Sequence, residues 1–386
     1  MKILFLGNSS SWHVVPWVNY FASRHETSLF SFIEPYKHSQ ELNNVFLIDS
    51  YGVIGYVLKA FKIKTDFFYK FNRIISIPIA CIRISIFVKK NKIDVIHAHS
   101  VFYGFLASFL TSGVPVVFTP MGSDVLVNPK KSKLYKCMTI YAYKKAKMVT
   151  GDSYILQKTG KLYGATKAMN HVIQNGVDQK IFFPKAKDPN LKKKYKLNDD
   201  EVIFYSPRQV EELYNIDIII ESLNALALKG KNFKCMFSYG PDSKYINSIK
   251  LKIQKYNLGN RIIWLPLLNH EEMANHYNLC DLVISIPSSD SSPRSVYEAA
   301  LCKKPIIVSD LSWSHEFFSN KQSLIKIAVR DADILVKILV DFFSNRPKYE
   351  LFASKSNEIA LEHFDFLTNM NKMDSLLQEL VLTNDK

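Results

Sequence analysis

Short apolar runs recur along the chain, each closed by glycine, proline, serine or asparagine and separated from the next by segments of helical period. Lys2 to Leu6 is the first; Gly7-Asn8-Ser9-Ser10-Ser11-Trp12-His13 follows, then a helical pattern through Val18 and Phe21. Asp94 to His99 reads as a buried strand before a helix from Tyr103 to Leu110, and Val114 to Thr119 as another strand. Val172-Ile173 runs into an Asn175-Gly176 turn with a proline-marked exit at Phe183-Pro184. Val202 to Tyr205, Cys235 to Ser238, Arg261 to Leu265, Leu282 to Ile286 and Ile306 to Val308 continue the series. Helical stretches fall at 270–279 and from Asp331 to Val381. Strands and helices alternating in this rhythm predict an α/β architecture on parallel sheets.

The most informative stretch is Ile284 to Asp310. A strand enters a serine-rich loop, and Ser292-Pro293 predicts an N-cap followed by proline at the first helical position. The helix carries Val296, Ala299 and Ala300 and stops near Lys303-Lys304-Pro305. In a βαβ unit such a loop lies at the carboxyl edge of the sheet, where ligands bind. A helix start there offers unpaired N–H groups to a diphosphate. Asp290 and Glu298 suit a sugar and ribose hydroxyls. Spacing alone equally allows a turn-capping aspartate and a solvated helical glutamate.

Composition narrows the class. At 386 residues, with 47% hydrophobic and 22% charged residues, the chain is globular and long enough for two domains. Five scattered cysteines have no metal spacing and suit a reducing compartment. The opening apolar run is too short for a secretory signal, and the longest, Ile74 to Val88, contains Arg83 and falls short of a membrane span. Residues 1–184 hold 23 Lys and Arg against 9 Asp and Glu, whereas the rest is nearly balanced within the total of +15. A basic first half implies one domain that meets an anionic surface, either membrane or nucleic acid.

Candidate chemistry also lies elsewhere. The small residues around Ser10 and His13 suit close ligand approach. Residues 55–90 interleave Lys59, Lys62, Lys64, Lys70, Arg73, Arg83, Lys89 and Lys90 with aromatic and apolar residues. That is the composition of a helix lying on anionic lipid, or of ordinary helices with solvated basic faces. Alternation puts His97 and His99 on one side of their strand, a half-complete metal pair or two structural histidines. Pro120-Met121-Gly122-Ser123-Asp124 is a tight loop in which Asp124 orients a hydroxyl or caps the next helix. Arg208, just past a strand, can bridge two diphosphate oxygens.

Several of these segments resemble glycosyltransferase family 4. Asp290 and Glu298 occupy the two places of its Glu-x7-Glu signature, and Glu298-Ala299-Ala300, Cys302 and Pro305-Ile306-Ile307 continue it. Val172 to Asp178, with Phe183-Pro184, matches the family's "VIPNGVDxxxFxP", and Gly122-Ser123-Asp124 matches "HGSD" with Met121 in the histidine's place. Arg208 takes the arginine of "GRL...KG", whereas Tyr214 stands for its lysine. Asp290 replaces the first glutamate, Ser291 and Pro293 replace loop glycines, and Lys303 replaces the glycine after Cys302.

The resemblance implies the GT-B architecture, two Rossmann-like domains facing across a cleft. Residues 1–184 form the acceptor domain, 185–365 the nucleotide-sugar domain, and 366–386 a helix crossing back to the first. It implies a retaining glycosyltransferase, metal-independent and without cofactor, that moves a sugar from a UDP-linked donor to a lipid-linked saccharide. Asp290 and His99 are its candidate catalytic residues. Arg208, Glu298, Ser291, Ser292, Arg294 and Ser295 hold the donor, with Arg294 standing in for the missing lysine. Ser10, His13, Gly122 and Asp124 line the acceptor or sugar side. The expected setting is the cytoplasmic face of the plasma membrane, with anionic lipid as partner, in surface polysaccharide synthesis. A sugar-nucleotide epimerase and a basic nucleic-acid-binding protein are the alternatives; no binding motif supports the second.

Overall fold

The computed structural model describes every residue except 33–41, 51–70, 73, 111–112, 166–168, 239–242, 319–321 and 385–386. The chain divides into two compact units, Met1–Gln174 with Thr368–Lys386, and Asn175–Leu367. The division falls after Gln174, whereas the sequence reading set the boundary at Pro184. Residues 185–200, a charged polar stretch that suits an interdomain linker by composition, are instead packed on the second unit. Asp188 caps a helix over Pro189–Lys194, Lys185 N–H donates to Asn278 Oδ1 (2.8 Å), and Leu191, Tyr195 and Leu197 pack on the second unit's core.

In the first unit β1 (Lys2–Leu6), β2 (Glu26–Phe32), β3 (Phe46–Ser50), β4 (Val95–His99), β5 (Val116–Thr119), β6 (Met148–Gly151) and β7 (Asn170–Val172) form one sheet. Its order is β3-β2-β1-β4-β5-β6-β7 with parallel pairing throughout, Phe5 lying beside His97. The helices are α1 (Val14–Ala22), α2 (Ile77–Asn91), α3 (Val101–Ala107), α4 (Lys133–Lys145) and α5 (Tyr154–Tyr163). Strand order reverses between β1 and β4, so right-handed crossovers put α1 on one face and α2 to α4 on the other. Leu4, Leu6, Ile96 and Ala98 accordingly pack on Ala80, Ile84 and Val88 of α2 and Leu106 of α3. Phe5, His97 and His99 face the other way, onto Trp17 of α1.

In the second unit β8 (Val202–Ser206), β9 (Phe233–Phe237), β10 (Ile262–Trp264), β11 (Leu282–Ser285), β12 (Ile306–Ser309) and β13 (Ile325–Ile327) pair in the order β10-β9-β8-β11-β12-β13. All these pairings are parallel. The helices are α6 (Ile216–Leu228), α7 (Lys244–Lys255), α8 (His270–Leu279), α9 (Arg294–Leu301), α10 (Ala332–Ser344), α11 (Arg346–His363) and α12 (Phe366–Asn384). Val202 and Phe204 point into a core with α6, α7 and α10; Ile203 and Tyr205 point into one with α8 and α9. Most of α12 belongs to the first unit, where Asn371 accepts from Tyr20 and Asp374 pairs with His25 at 2.7 Å.

One feature corrects the sequence reading of α9, whose other end falls near Lys303 as expected. Pro293, not Ser292, occupies the N-cap in extended conformation, and no side chain caps the helix. The other end closes as a Schellman turn: Lys303 N–H donates to Ala300 O and Lys304 N–H to Ala299 O. That turn requires a left-handed residue, and Lys303 adopts φ +54°. The glycine expected there has a conformational reason, which lysine meets under strain. At Gly176 the requirement is absolute: φ is +66°, and a Cβ would stand 2.5 Å from the backbone of Phe366.

The candidate functional site at the two switch points

Each sheet reverses its strand order once, between β1 and β4 and between β8 and β11. Beyond the carboxyl ends of such strand pairs a crevice forms between the diverging loops. Both sets of candidate residues gather there, each in its own unit.

In the second unit, β8 ends at Ser206 and delivers Arg208 two residues on; β11 ends at Ser285 and delivers Asp290 five residues on. Arg208 Nη1 lies 3.1 Å from Asp290 Oδ2, and each side chain keeps about a sixth of its surface open, at 17% and 14%. The pair is a contact of charges without hydrogen-bond alignment, so Asp290 Oδ2 has no hydrogen-bond donor among the described residues. Asp290 Oδ1 accepts from the Ser291 N–H (2.9 Å). The Arg208 guanidinium also lies 4.3 Å above the Tyr214 ring and 3.3 Å from Ser295 Oγ. Burial works to lower its pKa, but Asp290 and Tyr214 outweigh that and the pKa is raised. Tyr214, in the place of the expected lysine, thus supports the arginine by a cation–π contact instead of adding a charge.

Glu298 lies behind this pair on α9 and is almost fully buried. The Tyr277 hydroxyl, from α8, stands 3.0 Å from Glu298 Oε2 and 3.1 Å from the Ser295 carbonyl, and donates to one at a time. Arg294 Nε is 3.9 Å from Glu298 Oε1, one turn away. Burial raises the Glu298 pKa, against the pull of Arg294, Tyr277 and Arg208. A buried carboxyl with two cations nearby and one tyrosine donor is poised to accept hydroxyl hydrogen bonds. Ser291, Ser292 and Ser295 are buried around the helix start, Ser292 bonded to Tyr297 at 2.7 Å.

Sequence reasoning missed the residues that hold these loops. Asn215 is fully buried in the left-handed region, at φ +53°. Its Nδ2 donates to Ile286 O (2.8 Å) and Ser288 Oγ (3.0 Å), which locks the Arg208 loop to the Asp290 loop. The buried hydroxyls of Ser206 and Ser285, at the ends of β8 and β11, have no hydrogen-bond partner among the described residues. Tyr277 carried no spacing signal, because its role depends on a helix from elsewhere in the fold.

In the first unit, alternation along β4 brings His97 and His99 together, ring centroids 4.4 Å apart. Phe5 stacks on His97 and Trp17 meets both rings edge-on. His97 Nε2 bonds Thr119 Oγ1 (2.7 Å), which in turn bonds Thr150. His99 Nε2 is buried without a hydrogen-bond partner among the described residues. Burial, with His13 nearby, lowers the His99 pKa to about 3; burial and His99 lower that of His97 well below its ordinary value. Both rings are therefore neutral at physiological pH. Among the described residues no group of three or more His, Cys, Asp or Glu could hold a metal ion.

Asp124 proves structural. Its Oδ2 accepts from the Val101 N–H at the start of α3, and its Oδ1 from the Met121 N–H, both at 2.9 Å. Burial pushes its pKa up to about 6 against those backbone donors. Gly122 supplies the left-handed turn at φ +97° that lets the loop close. Ser10 N–H donates to Asn8 Oδ1, and His13 forms the N-cap position of α1. Of the expected acceptor-side group, Asp124 is thus committed to the backbone, while Ser10 and His13 sit at the mouth of the loop after β1.

Comparison with known proteins follows the same division. Residues 187–358 match the model described as Glycosyl transferases group 1, and residues 2–153 the model described as Glycosyl transferase 4-like. The chain is 24% identical over 306 residues to an Escherichia coli UDP-Gal:alpha-D-GlcNAc-diphosphoundecaprenol alpha-1,3-galactosyltransferase, covering 76% of this chain and 78% of that one. It is 23% identical over 265 residues to an uncharacterized 41.2 kDa protein in the cps region of Klebsiella pneumoniae, covering 65% and 70%. The crystal structure of Anabaena HepE in complex with UDP and glucose superposes with a TM-score of 0.79 at 16% identity, over 98% of this chain and all of that one.

Proposed function

The chain belongs to the glycosyltransferases of the 4-like kind, and on that premise we propose that it transfers a sugar from a UDP-linked donor to a lipid-linked saccharide with retention of anomeric configuration. The observation that carries the reading is the mostly buried Arg208–Asp290 pair, still partly open, beside an uncapped helix start, with Glu298 buried behind it. Diphosphate departure needs positive charge where negative charge develops. Arg208, Arg294 and the backbone N–H groups of Ser292, Arg294 and Ser295 supply it in this reading, with no metal or cofactor called on. Glu298 receives the ribose hydroxyls, and Asp290, whose buried Oδ2 has no hydrogen-bond partner among the described residues, a sugar hydroxyl.

The bond from the sugar's anomeric carbon to the diphosphate oxygen breaks, and the acceptor oxygen attacks from the same face. The acceptor proton passes to the departing phosphate oxygen. His99, neutral and with a buried Nε2 that has no hydrogen-bond partner among the described residues, is assigned to a hydroxyl of the transferred sugar. The first unit is assigned the acceptor, with Ser10 and His13 at its edge. UDP is favoured because HepE was crystallised with it and the E. coli relative is named for a UDP-sugar. A diphosphoundecaprenol-linked acceptor is favoured by the name of the E. coli relative, and a place in surface polysaccharide synthesis by that name together with the cps-region origin of the Klebsiella relative.

The test is turnover. UDP-glucose, UDP-galactose and their N-acetylamino counterparts are each incubated with a diphosphopolyprenol-linked monosaccharide, and released UDP and the product anomer are read out. One donor giving UDP and an α-linked product supports the reading. An inverted product, or no acceptor-dependent release of UDP from any of the four donors, contradicts it.

A further inference from the structure

The face of the first unit made by α2, α3 and α4 carries large apolar side chains where a surface helix ordinarily carries polar ones. Along α2, Ile79, Ile82 and Ile86 are 51%, 61% and 61% exposed. They follow one another at helical spacing, with Arg83, Lys89 and Lys90 exposed among and beside them. Of the residues described between Phe71 and Ile79, Ile74 is exposed as well. Lys59, Lys62, Lys64, Lys70 and Arg73 lie outside the described residues. The neighbouring helices repeat the pattern. Phe109, just past α3, and Leu134 and Tyr141 of α4 are exposed.

These helices adjoin. Cys81 of α2 meets the Leu106 carbonyl of α3 at 3.8 Å, and Phe105 of α3 meets Tyr141 of α4 ring to ring at 6.3 Å. The charge on this stretch has one sign. Between Ile77 and Lys147 there are 11 lysines and arginines and two acidic residues, Asp94 and Asp124. Asp94 is bonded to the Lys2 backbone N–H at the amino end of β4, and Asp124 is buried. An apolar strip flanked by lysines whose stems can reach past it, with no exposed carboxylate in the stretch, matches the headgroup boundary of an anionic bilayer. No described helix is long and apolar enough to cross a membrane, so the contact would lie in the plane of the surface.

We propose that this three-helix face docks the first unit on a bilayer containing anionic lipid, with Ile79, Ile82 and Ile86 seated in the headgroup boundary. The proposal does not depend on the donor site and stands or falls separately from it. The full chain is sedimented with phosphatidylcholine vesicles and with vesicles that also contain phosphatidylglycerol. Binding to the mixed vesicles should be at least tenfold stronger and should weaken as salt rises. Lys133→Gln and Lys136→Gln should each reduce it about fivefold. Ile82→Ser combined with Ile86→Ser should reduce it about tenfold or more, with a cooperative urea unfolding transition retained as a check that the protein is folded. Equal binding to both vesicle types, or an isoleucine variant that binds like the parent, overturns the proposal. So does a dimer in light scattering that the isoleucine changes dissolve while vesicles are ignored, because the face would then belong to a second copy.

Discussion

At the switch point of the second sheet a guanidinium and a carboxylate stand 3.1 Å apart and partly open, backed by a buried glutamate. At that of the first, two imidazoles lie 4.4 Å apart in an aromatic cage, both neutral. The strand order is the same to the sixth strand, so topology fixes where a ligand binds and not what it is. Charge that can meet a diphosphate sits on one side. The other offers aromatic packing and, on His97 and His99, two buried ring nitrogens without a hydrogen-bond partner among the described residues, which suits an uncharged hydroxyl-bearing group.

The contrast breaks first at Arg208. Arg208→Ala removes the cation and leaves Asp290 without its partner; donor kcat/KM should fall about 100-fold, roughly 2.7 kcal/mol. Arg208→Lys keeps the charge but loses the planar fork, and should recover only part of that loss. Steady-state kinetics with the turned-over donor check both.

The neutral histidines predict a pH effect of the opposite kind. An unfolded histidine binds its proton below about 6.5, whereas folded His99 does so only near 3. The unfolded state therefore holds more protons over that interval, and stability falls as pH drops through it. His99→Gln should flatten the decline of stability by about 1.4 kcal/mol per pH unit between pH 6 and 5, read from urea midpoints. Asp124 works the other way, since its folded pKa is about 6 against an ordinary 3.8. Its folded form takes up the proton first, so Asp124→Asn should steepen the same decline.

Smaller effects sharpen the picture. Tyr214→Leu removes the ring under Arg208 and should weaken nucleotide binding about fivefold, near 1 kcal/mol, by calorimetry. Lys303→Gly relieves a left-handed residue and should stabilise the fold by about 0.5–1 kcal/mol, seen as a raised Tm with nucleotide affinity unchanged.

What the sequence disclosed follows from how local each signal is. The strands ending in Gly7, His99, Ser206 and Ser285 stand out because turn residues punctuate them. By contrast β2 follows α1 through Ser23-Arg24-His25 without glycine or proline, and its six buried residues give no alternation, so nothing in the pattern announces it. β3, β6 and β13 are likewise short runs with weak boundaries. Arg208, Asp290 and Glu298 were legible as a resemblance and from their places after strands. Asn215 and Tyr277 were not, since one acts across 71 residues and the other across 21. The bond from the Val101 N–H to Asp124 was equally out of reach of local spacing, because it spans 23 residues.

The central claim is that the second unit's switch point holds a nucleotide diphosphate. Calorimetric titration with UDP tests it most directly, alongside GDP and ADP, on the parent and on Glu298→Gln, which keeps the side chain's shape. The account predicts saturable UDP binding in the parent, clearly weakened in the variant by loss of the carboxylate's hydrogen bonds to ribose. Absence of binding for all three nucleotides, or a variant that binds UDP as the parent does, would contradict it.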